Sequence, residues 1–180
     1  AFQQHIQKSL DNENGRSISL WPHGILFRDS EAAMRRKMIE EDLVECVIGL
    51  GPNLFYNSPM EACLLITRTN KPKHKKGKIL FINAVNEVRQ EKTMSFLEQT
   101  HIDKIFDAYS NFDNKEDFAA LVNKEEILQN GGNLSVSLYV RTDKYDASQN
   151  EDFSEVFEKW EKSSHELKKS MKQLFETLEH

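Results

Sequence analysis

Three nearly continuous apolar runs of strand length constrain the fold more than any other feature of the sequence. They span residues 43–50, 62–67 and 78–83. Strands of this kind are buried on both faces of a sheet that helices cover, because a half-exposed strand alternates apolar and polar residues. The connections between the runs are too short for parallel crossovers, so the sheet is expected to finish with antiparallel strands.

Helical patterns precede and separate the first runs. Apolar residues four apart predict a short helix over residues 2–10, and a strand is expected over residues 17–21. Ser30 is placed to cap a second helix over residues 31–41. Three basic residues of this helix are expected on its solvated face: Arg35, Arg36 and Lys37. Helix and strand alternate here in the order of an α/β domain.

The chain after residue 88 has the pattern of a small α+β extension. Helical spacing of apolar residues predicts a helix over residues 102–109 with Thr100 as its cap. Residues 118–122 have the composition of a short strand, and Asn123 is placed to cap a brief helix after it. The alternation over residues 133–140 predicts a final strand.

The C-terminal residues predict a long helix that pairs with another helix. From residue 150 onward there is no glycine or proline, and apolar residues recur every seven positions, which is the period of a helix-pairing seam. The seam consists of Phe153, Phe157, Trp160, Leu167, Met171 and Leu174. The predicted organisation is therefore an α/β part (1–88), an extension (89–149) and this helix (150–180), with residues 178–180 possible remnants of a vector-derived tag.

Glycine and proline are scarce, and this excludes several functions. The chain has seven glycines and four prolines, no two prolines adjacent, and one G-x-G spacing at Gly49 and Gly51 that leads into Pro52. No phosphate-cradling or dinucleotide-binding turn follows from this pattern. The formal net charge of −5 argues against a uniformly basic nucleic-acid binder.

Histidine and cysteine placement argues against a metal centre and against secretion. The six histidines have no metal-ligand spacing with each other or with either cysteine, so no metal is expected. Cys46 and Cys63 lie in apolar runs and are expected to be reduced and buried. The chain begins without a basic leader and without Met, and has no run of 18 apolar residues, so we expect a cytoplasmic protein and a fragment of a longer chain.

One loop concentrates positive charge. Residues 68–78 carry six basic side chains and no acidic one, around a proline and a glycine that indicate an exposed hairpin loop. Such a loop can bind DNA phosphates by releasing counterions, or it can be a solvated turn. The candidate DNA-backbone residues are Arg68, Lys71, Lys73, Lys75, Lys76 and Lys78.

A family resemblance rests on several motifs in order. These are WPHGILFR at 21–28, LVECVIGL at 43–50 leading into NLFY at 53–56, ACLLIT at 62–67 and GKILFINA at 77–84. Together they closely resemble the modification (M) subunit of type I restriction-modification systems, and the likeness extends to about residue 141. The C-terminal helix resembles the family in character rather than in letters.

The resemblance implies a fold and an activity. Members of the family are adenine-specific DNA methyltransferases that use S-adenosylmethionine, with a Rossmann-like sheet that has an antiparallel finish. They need a glycine-rich turn for the cofactor and an Asn-Pro-Pro-aromatic loop for the target amine, and this chain has neither. By resemblance the chain is the C-terminal half of that sheet with its extension and long helix, inactive and without cofactor by itself.

The resemblance also implies partners and site residues. The expected partners are DNA, the specificity subunit through the C-terminal helix, and the restriction subunit. The loop at Asn53, Phe55 and Tyr56 matches the one where related enzymes place an aromatic ring against the flipped base, either Phe55 or Tyr56 here, although both rings could instead close the sheet edge. The family usually has proline where Gly51 stands. The alternative function is a non-enzymatic interaction module that docks a specificity subunit or self-associates through the helix.

Overall fold

The computed structural model describes residues 2–56, 58–92, 94–140, 157, 160–165, 167–168 and 170–171. The chain divides into two compact units, Ala1–Thr142 and Asp143–His180. In the second unit every described residue has helical backbone geometry. The Phe153 and Leu174 positions of the predicted seam lie outside the described residues, as do residues 178–180.

The described part of the first unit is a mixed α/β fold. Its strands are β1 (Arg16–Pro22), β2 (Val44–Leu50), β3 (Ala62–Arg68), β4 (Lys78–Ala84), β5 (Arg89–Glu91), β6 (Met94–Phe96) and β7 (Ala119–Asn123). Its helices are α1 (Phe2–Ser9), α2 (Ala32–Glu40), α3 (Gln99–Asn111), α4 (Lys124–Gln129) and α5 (Val136–Tyr139). The three apolar runs are β2, β3 and β4, as predicted.

The strand order β1-β3-β2-β4-β7 explains the predicted antiparallel finish. Strand β3 lies between β1 and β2 and runs antiparallel to both. Strand β4 runs opposite to β3 but lies on the far side of β2, so β4 and β2 pair in parallel. The predicted α/β class with an antiparallel finish is confirmed.

Both faces of the central strands are buried, as their apolar composition requires. All seven residues of β2 are buried. Val47 and Phe81 pack on one face with Ile39 and Ile127 from the helices, while Ile48 belongs to a second apolar cluster on the other face. Because β7 pairs with β4, the sheet also takes a strand from the chain beyond residue 88. The boundaries 1–88, 89–149 and 150–180 as domains of a larger protein stay a prediction.

Two predicted helix caps are wrong. Two short 3-10 turns precede α2, so Glu31 rather than Ser30 occupies the cap position, and the Ser30 hydroxyl instead donates to the Glu31 carboxylate. Helix α3 begins one residue before Thr100, and Glu98 forms its capping box with His101. In both cases another polar side chain lies closer to the first turn.

The predicted strand over residues 133–140 is also wrong, because this segment contains helix α5. Val136 and Val140 are buried four residues apart, and the Tyr139 ring stacks on Phe81 with the ring centroids 4.3 Å apart. The Tyr139 hydroxyl donates to the Asn133 carbonyl at 2.7 Å. Packing against the sheet therefore outweighs the local alternation.

Arg35 corrects the predicted solvated face of α2. Its guanidinium is buried and donates to the carbonyl oxygens of Ile25 at 3.0 Å, Arg28 at 2.7 Å and Gly132 at 3.2 Å. Burial lowers the pKa of Arg35. Arg36 and Lys37 are exposed, as predicted.

The two cysteines are free and buried, as predicted. Burial raises the pKa of Cys63 to about 12 and also raises the pKa of Cys46. None of the helices among the described residues is long and apolar enough to cross a membrane. Within the same residues, no three His, Cys, Asp or Glu side chains are grouped as metal ligands.

Candidate nucleic-acid interface

The loop that follows β2 lies at one end of the sheet, beside the turn that follows β1. Pro22 and Leu50 both pair with Ala62, the first residue of β3. The turn that begins at His23 and the loop over residues 51–61 therefore flank the start of β3. This end of the sheet carries the predicted base-pocket residues.

The loop is packed tightly at its start. A Cβ atom on Gly51 would lie 2.4 Å from the Val85 carbonyl oxygen and 3.1 Å from Val88 Cγ1. Both valines belong to the segment that leaves β4. Glycine at position 51, where the family usually has proline, is required by this close approach of two backbones.

Asn53 connects the loop to the hairpin formed by β5 and β6. Its backbone lies in the left-handed region with φ of +59°, which asparagine tolerates better than most residues. Its carbonyl oxygen accepts the Ser95 N–H at 2.8 Å, and Ser95 is buried. The hairpin therefore supports the loop from the side.

The two aromatic residues project from the supported loop. The Phe55 carbonyl accepts the Ser58 N–H at 3.0 Å, which closes a tight turn at the tip. Phe55 is 36% exposed and Tyr56 is 82% exposed. Tyr56 thus presents most of its ring to solvent beside a fixed backbone.

The far end of the loop is held by His23. The His23 ring donates from Nδ1 to Glu61 Oε2 at 3.0 Å, and the His23 backbone N–H donates to the Glu61 carbonyl at 3.3 Å. The loop is therefore fixed at Gly51, Asn53 and Glu61 while its aromatic tip extends outward.

Three of the six predicted DNA-backbone residues form ion pairs with carboxylates of the protein. Lys71 is buried, donates to Asp42 Oδ1 at 2.7 Å and to the Lys78 carbonyl at 2.8 Å, and has a pKa lowered by burial against the opposing effect of Asp42. Lys75 and Arg68 each lie 3.5 Å from the carboxylate of Glu45. The side chains that remain open to solvent are Lys73 and Lys76, with Lys78 half-buried.

The structure does not bring the basic loop and the base-pocket loop together. The basic loop follows Arg68 at the end of β3, where Thr67 pairs with Val44 at the start of β2. The aromatic loop follows Leu50 at the other end of β2. Seven residues of strand separate them, which is roughly 20 Å at about 3.3 Å per residue.

The glycines do not fit the cofactor that the resemblance implies. Gly51 is closed off by Val85, and Gly49 lies within β2 against Val136. Three glycines have positive φ, and none of them belongs to the loop after β2: Gly77, Gly131 and Gly132. The described residues thus form no glycine cradle for S-adenosylmethionine.

The described seam residues of the second unit are all exposed. They are Phe157, Trp160, Leu167 and Met171. The rings of Phe157 and Trp160 lie 5.8 Å apart. An exposed apolar row on a helix is what a partner helix would cover.

Sequence reasoning missed the residues that hold the loop. Val85 and Ser95 come from a segment that carries no motif. The contact between Ser95 and Asn53 is a hydrogen bond between backbone atoms, so it does not depend on the side chains at these positions and leaves no mark in the sequence. His23 and its partner Glu61 are 38 positions apart, so no local signal in the sequence pairs them.

Comparisons with known proteins agree with this fold. Residues 1–148 match the family of N-6 DNA methylases. The chain is 40% identical over 147 residues to the type I restriction enzyme MjaVIII methylase subunit of Methanocaldococcus jannaschii, covering 79% of the chain and 25% of the relative. It is 31% identical to the MpnII methylase subunit of Mycoplasma pneumoniae, covering 79% of the chain and 26% of the relative.

The fold of this chain is also similar to that of a solved methyltransferase subunit. The crystal structure of the type I restriction-modification system methyltransferase subunit from Streptococcus thermophilus superposes with a TM-score of 0.72 at 33% identity, covering 77% of this chain and 29% of that one. The chain spans about a quarter of the length of the curated relatives. By the match over residues 1–148, the chain belongs to the N-6 DNA methylase family.

Proposed function

We propose that this chain is part of an adenine-specific DNA methyltransferase subunit of a type I restriction-modification system. Such an enzyme transfers the methyl group of S-adenosylmethionine to the exocyclic amine of an adenine that is flipped out of the duplex. The observation that carries the proposal is the loop after β2: three anchors fix its backbone, and they leave the Tyr56 ring free at the end of the sheet.

The loop supplies a π-face for the flipped base. Stacking of a base on an aromatic side chain is worth about 1–3 kcal/mol. The fixed backbone lowers the entropy cost of ordering the ring when the base arrives. Asn53 contributes by holding the loop against the hairpin through its carbonyl oxygen.

The cofactor and the target amine are bound outside this chain in our proposal. S-adenosylmethionine supplies the methyl group when it is bound to the whole subunit. Gly51 of the loop after β2 is closed off by Val85, and no glycine with positive φ belongs to that loop, so the role we assign to this chain is to position the base. Titration of the 180-residue chain with S-adenosylmethionine should give no saturable binding, and micromolar binding would contradict this division.

The aromatic roles can be separated by substitution in the full subunit assembled with its specificity partner. Tyr56→Ala should lower kcat/KM for DNA methylation about 5- to 150-fold, the equivalent of one stacked base. Tyr56→Phe should retain most activity because the ring remains. Phe106→Ala, an exposed aromatic on α3, is the matched control. If Phe55→Ala causes the loss and Tyr56→Ala does not, Phe55 is the stacking residue; if neither does, the loop has no base-stacking role.

We propose that the basic loop contacts DNA phosphates away from the base pocket. The open side chains of Lys73 and Lys76 are the strongest candidates, while Arg68, Lys71 and Lys75 contribute to the local potential from internal ion pairs. The pair Lys73→Gln and Lys76→Gln should reduce the slope of log K against log salt by about 1.8 for duplex DNA. Lys37→Gln on α2 is the control, and an unchanged slope would exclude Lys73 and Lys76 from the DNA interface.

An assembly role is supported by the exposed apolar row of the second unit. We propose that this helix docks on helices of the specificity subunit and that the restriction subunit joins the resulting complex. Trp160→Ala and Leu167→Ala should each weaken assembly with the specificity subunit, as measured by titration of the two purified subunits. Unchanged assembly would remove this role. Sedimentation equilibrium of the chain alone tests self-association through the same residues, which is the alternative function of an interaction module.

A further inference from the structure

Three cations from three elements surround one buried carboxylate. Glu45 of β2 has no exposed side-chain surface. Arg16 Nη2 from β1 lies 3.6 Å from its carboxylate, Arg68 Nη1 from β3 lies 3.5 Å away, and Lys75 Nζ from the turn after β3 lies 3.5 Å away. The Tyr109 hydroxyl of α3 donates to Glu45 Oε1.

The charges of this cluster do not balance. Glu45 contributes one negative charge, and the three cations contribute three positive charges. Among the described residues, Glu45 is the sole carboxylate within ion-pair distance of Arg16, Arg68 or Lys75. The cluster of these four side chains therefore carries a net formal charge of +2. The Glu45 Oε2 atom itself has no hydrogen-bond donor there.

The three cations are held in place, and the two arginines remain accessible while Lys75 is buried. Arg16 donates to the Tyr109 hydroxyl and lies 5.4 Å from the Tyr109 ring centroid. Lys75 Nζ lies 4.9 Å from the same centroid and 4.1 Å from that of Phe112. The side chains of Arg16 and Arg68 are 46% and 31% exposed. A guanidinium that is already oriented loses little freedom on binding an anion.

We infer that Arg16, Arg68 and Lys75 form a binding site for a phosphate group, with Glu45 and Tyr109 as positioning residues. Two guanidinium groups offer planar pairs of N–H donors that match phosphate oxygens, and the buried Lys75 adds a third positive charge beside Glu45. The phosphate can come from a DNA backbone or from free inorganic phosphate. The site lies at the end of β2 opposite the aromatic loop, so it does not depend on the proposed base-stacking role.

The first arm of the test uses inorganic phosphate. The full subunit is titrated calorimetrically with phosphate at constant ionic strength set by chloride. Wild-type protein should bind saturably, and Arg16→Gln should weaken binding about tenfold, the loss expected for one charge-assisted hydrogen bond. Arg16 is half exposed, so the variant should fold, and unfolding curves of both proteins check this. Lys37→Gln removes a cation from another surface and should leave binding unchanged.

The second arm uses duplex DNA and distinguishes the source of the phosphate. If the DNA backbone is the ligand, Arg16→Gln and Arg68→Gln should each reduce the salt slope of DNA binding by about 0.9. A reduced slope without binding of free phosphate assigns the site to DNA. Binding of free phosphate with an unchanged slope assigns it to a small phosphate. If Arg16→Gln and Arg68→Gln change neither the affinity for inorganic phosphate nor the salt slope of DNA binding, the proposed site does not exist. The outcome of this test is independent of whether Tyr56→Ala or Phe55→Ala lowers DNA methylation.

Discussion

Arg35 is a buried cation whose hydrogen bonds go to backbone carbonyl oxygens. Its guanidinium joins the turns after β1 to Gly132 in the loop after α4. Arg35→Ala would remove the donated hydrogen bonds to these three carbonyls, so we predict a loss of roughly 3 kcal/mol in the free energy of unfolding. Urea unfolding measures it. Lys37→Ala, two residues away and exposed, should stay within about 0.5 kcal/mol; equal effects of the two substitutions would contradict the role of Arg35.

Cys63 gives stability a defined dependence on pH. Burial raises its pKa in the folded state to about 12 from a reference value of 9.0. Between these values the unfolded chain has lost the thiol proton and the folded chain has kept it, so the free energy of unfolding falls as pH rises, by up to about 1.4 kcal/mol per pH unit. Below about pH 9 the thiol is protonated in both states, and the free energy of unfolding does not change with pH through Cys63.

The measurement compares wild type with Cys63→Ala. Urea unfolding between pH 8 and pH 10.5 should give a steeper decline for the wild type once pH exceeds about 9. The variant loses some stability at every pH because of the cavity, so the comparison concerns the slope alone. Parallel curves would show that the folded thiol ionises normally.

Residue roles could be predicted from the sequence only where the signal is local. The burial of both cysteines follows from the apolar residues around them. The burial of Arg35 does not, because one of its acceptors is 97 positions away. Lys71 is similar: its carboxylate partner Asp42 comes from the turn before β2. A basic residue in a charged stretch looks the same in sequence whether it is solvated or paired.

Among the elements, the junction of the β2 loop with the segment after β4 has little tolerance. A Cβ atom on Gly51 would meet the Val85 carbonyl oxygen at 2.4 Å, whereas one on Gly49 would meet Val136 Cγ2 at an ordinary 3.5 Å. We predict that Gly51→Ala destabilises the fold by about 1–3 kcal/mol and displaces the loop, and that Gly49→Ala costs less.

Two measurements test this junction. Urea unfolding compares the stabilities of the two variants. Hydrogen exchange of the Ser95 amide reports the contact with Asn53, and it should be faster in Gly51→Ala than in Gly49→Ala or wild type. Equal exchange in all three proteins would show that Gly51 does not position the loop.

The strands were easier to predict than the helix ends and the last segment. Apolar runs place β2, β3 and β4 to within about two residues because burial on both faces leaves a strong pattern. The alternation over residues 133–140 gave a wrong prediction because residues 136–139 are compatible with a helix as well as with a strand. Stacking of Tyr139 on Phe81 favours the helix. The prediction of Ser30 as a helix cap is wrong because a 3-10 turn over Asp29–Glu31 precedes α2, and composition does not indicate this turn.

At the scale of the molecule, β2 separates two candidate contacts with nucleic acid. The aromatic loop lies at one end, and the cations around Glu45 and the basic loop lie at the other. The sequence predicts the aromatic loop, the basic loop and the strands between them, but not the cluster around Glu45. It does not predict their separation, because that depends on the antiparallel return of β3 beside β2.

The order of strands and the family motifs support a methyltransferase, and the chain spans about a quarter of the length of its relatives. The most direct test is therefore on the full subunit that carries this chain, assembled with its specificity partner. Duplex DNA is incubated with this complex and S-adenosylmethionine and digested to nucleosides, which are identified by mass spectrometry. We predict N6-methyladenine in amounts that Tyr56→Ala reduces and Phe106→Ala does not. DNA without methylated adenine, from a complex that binds both DNA and cofactor, would contradict the account.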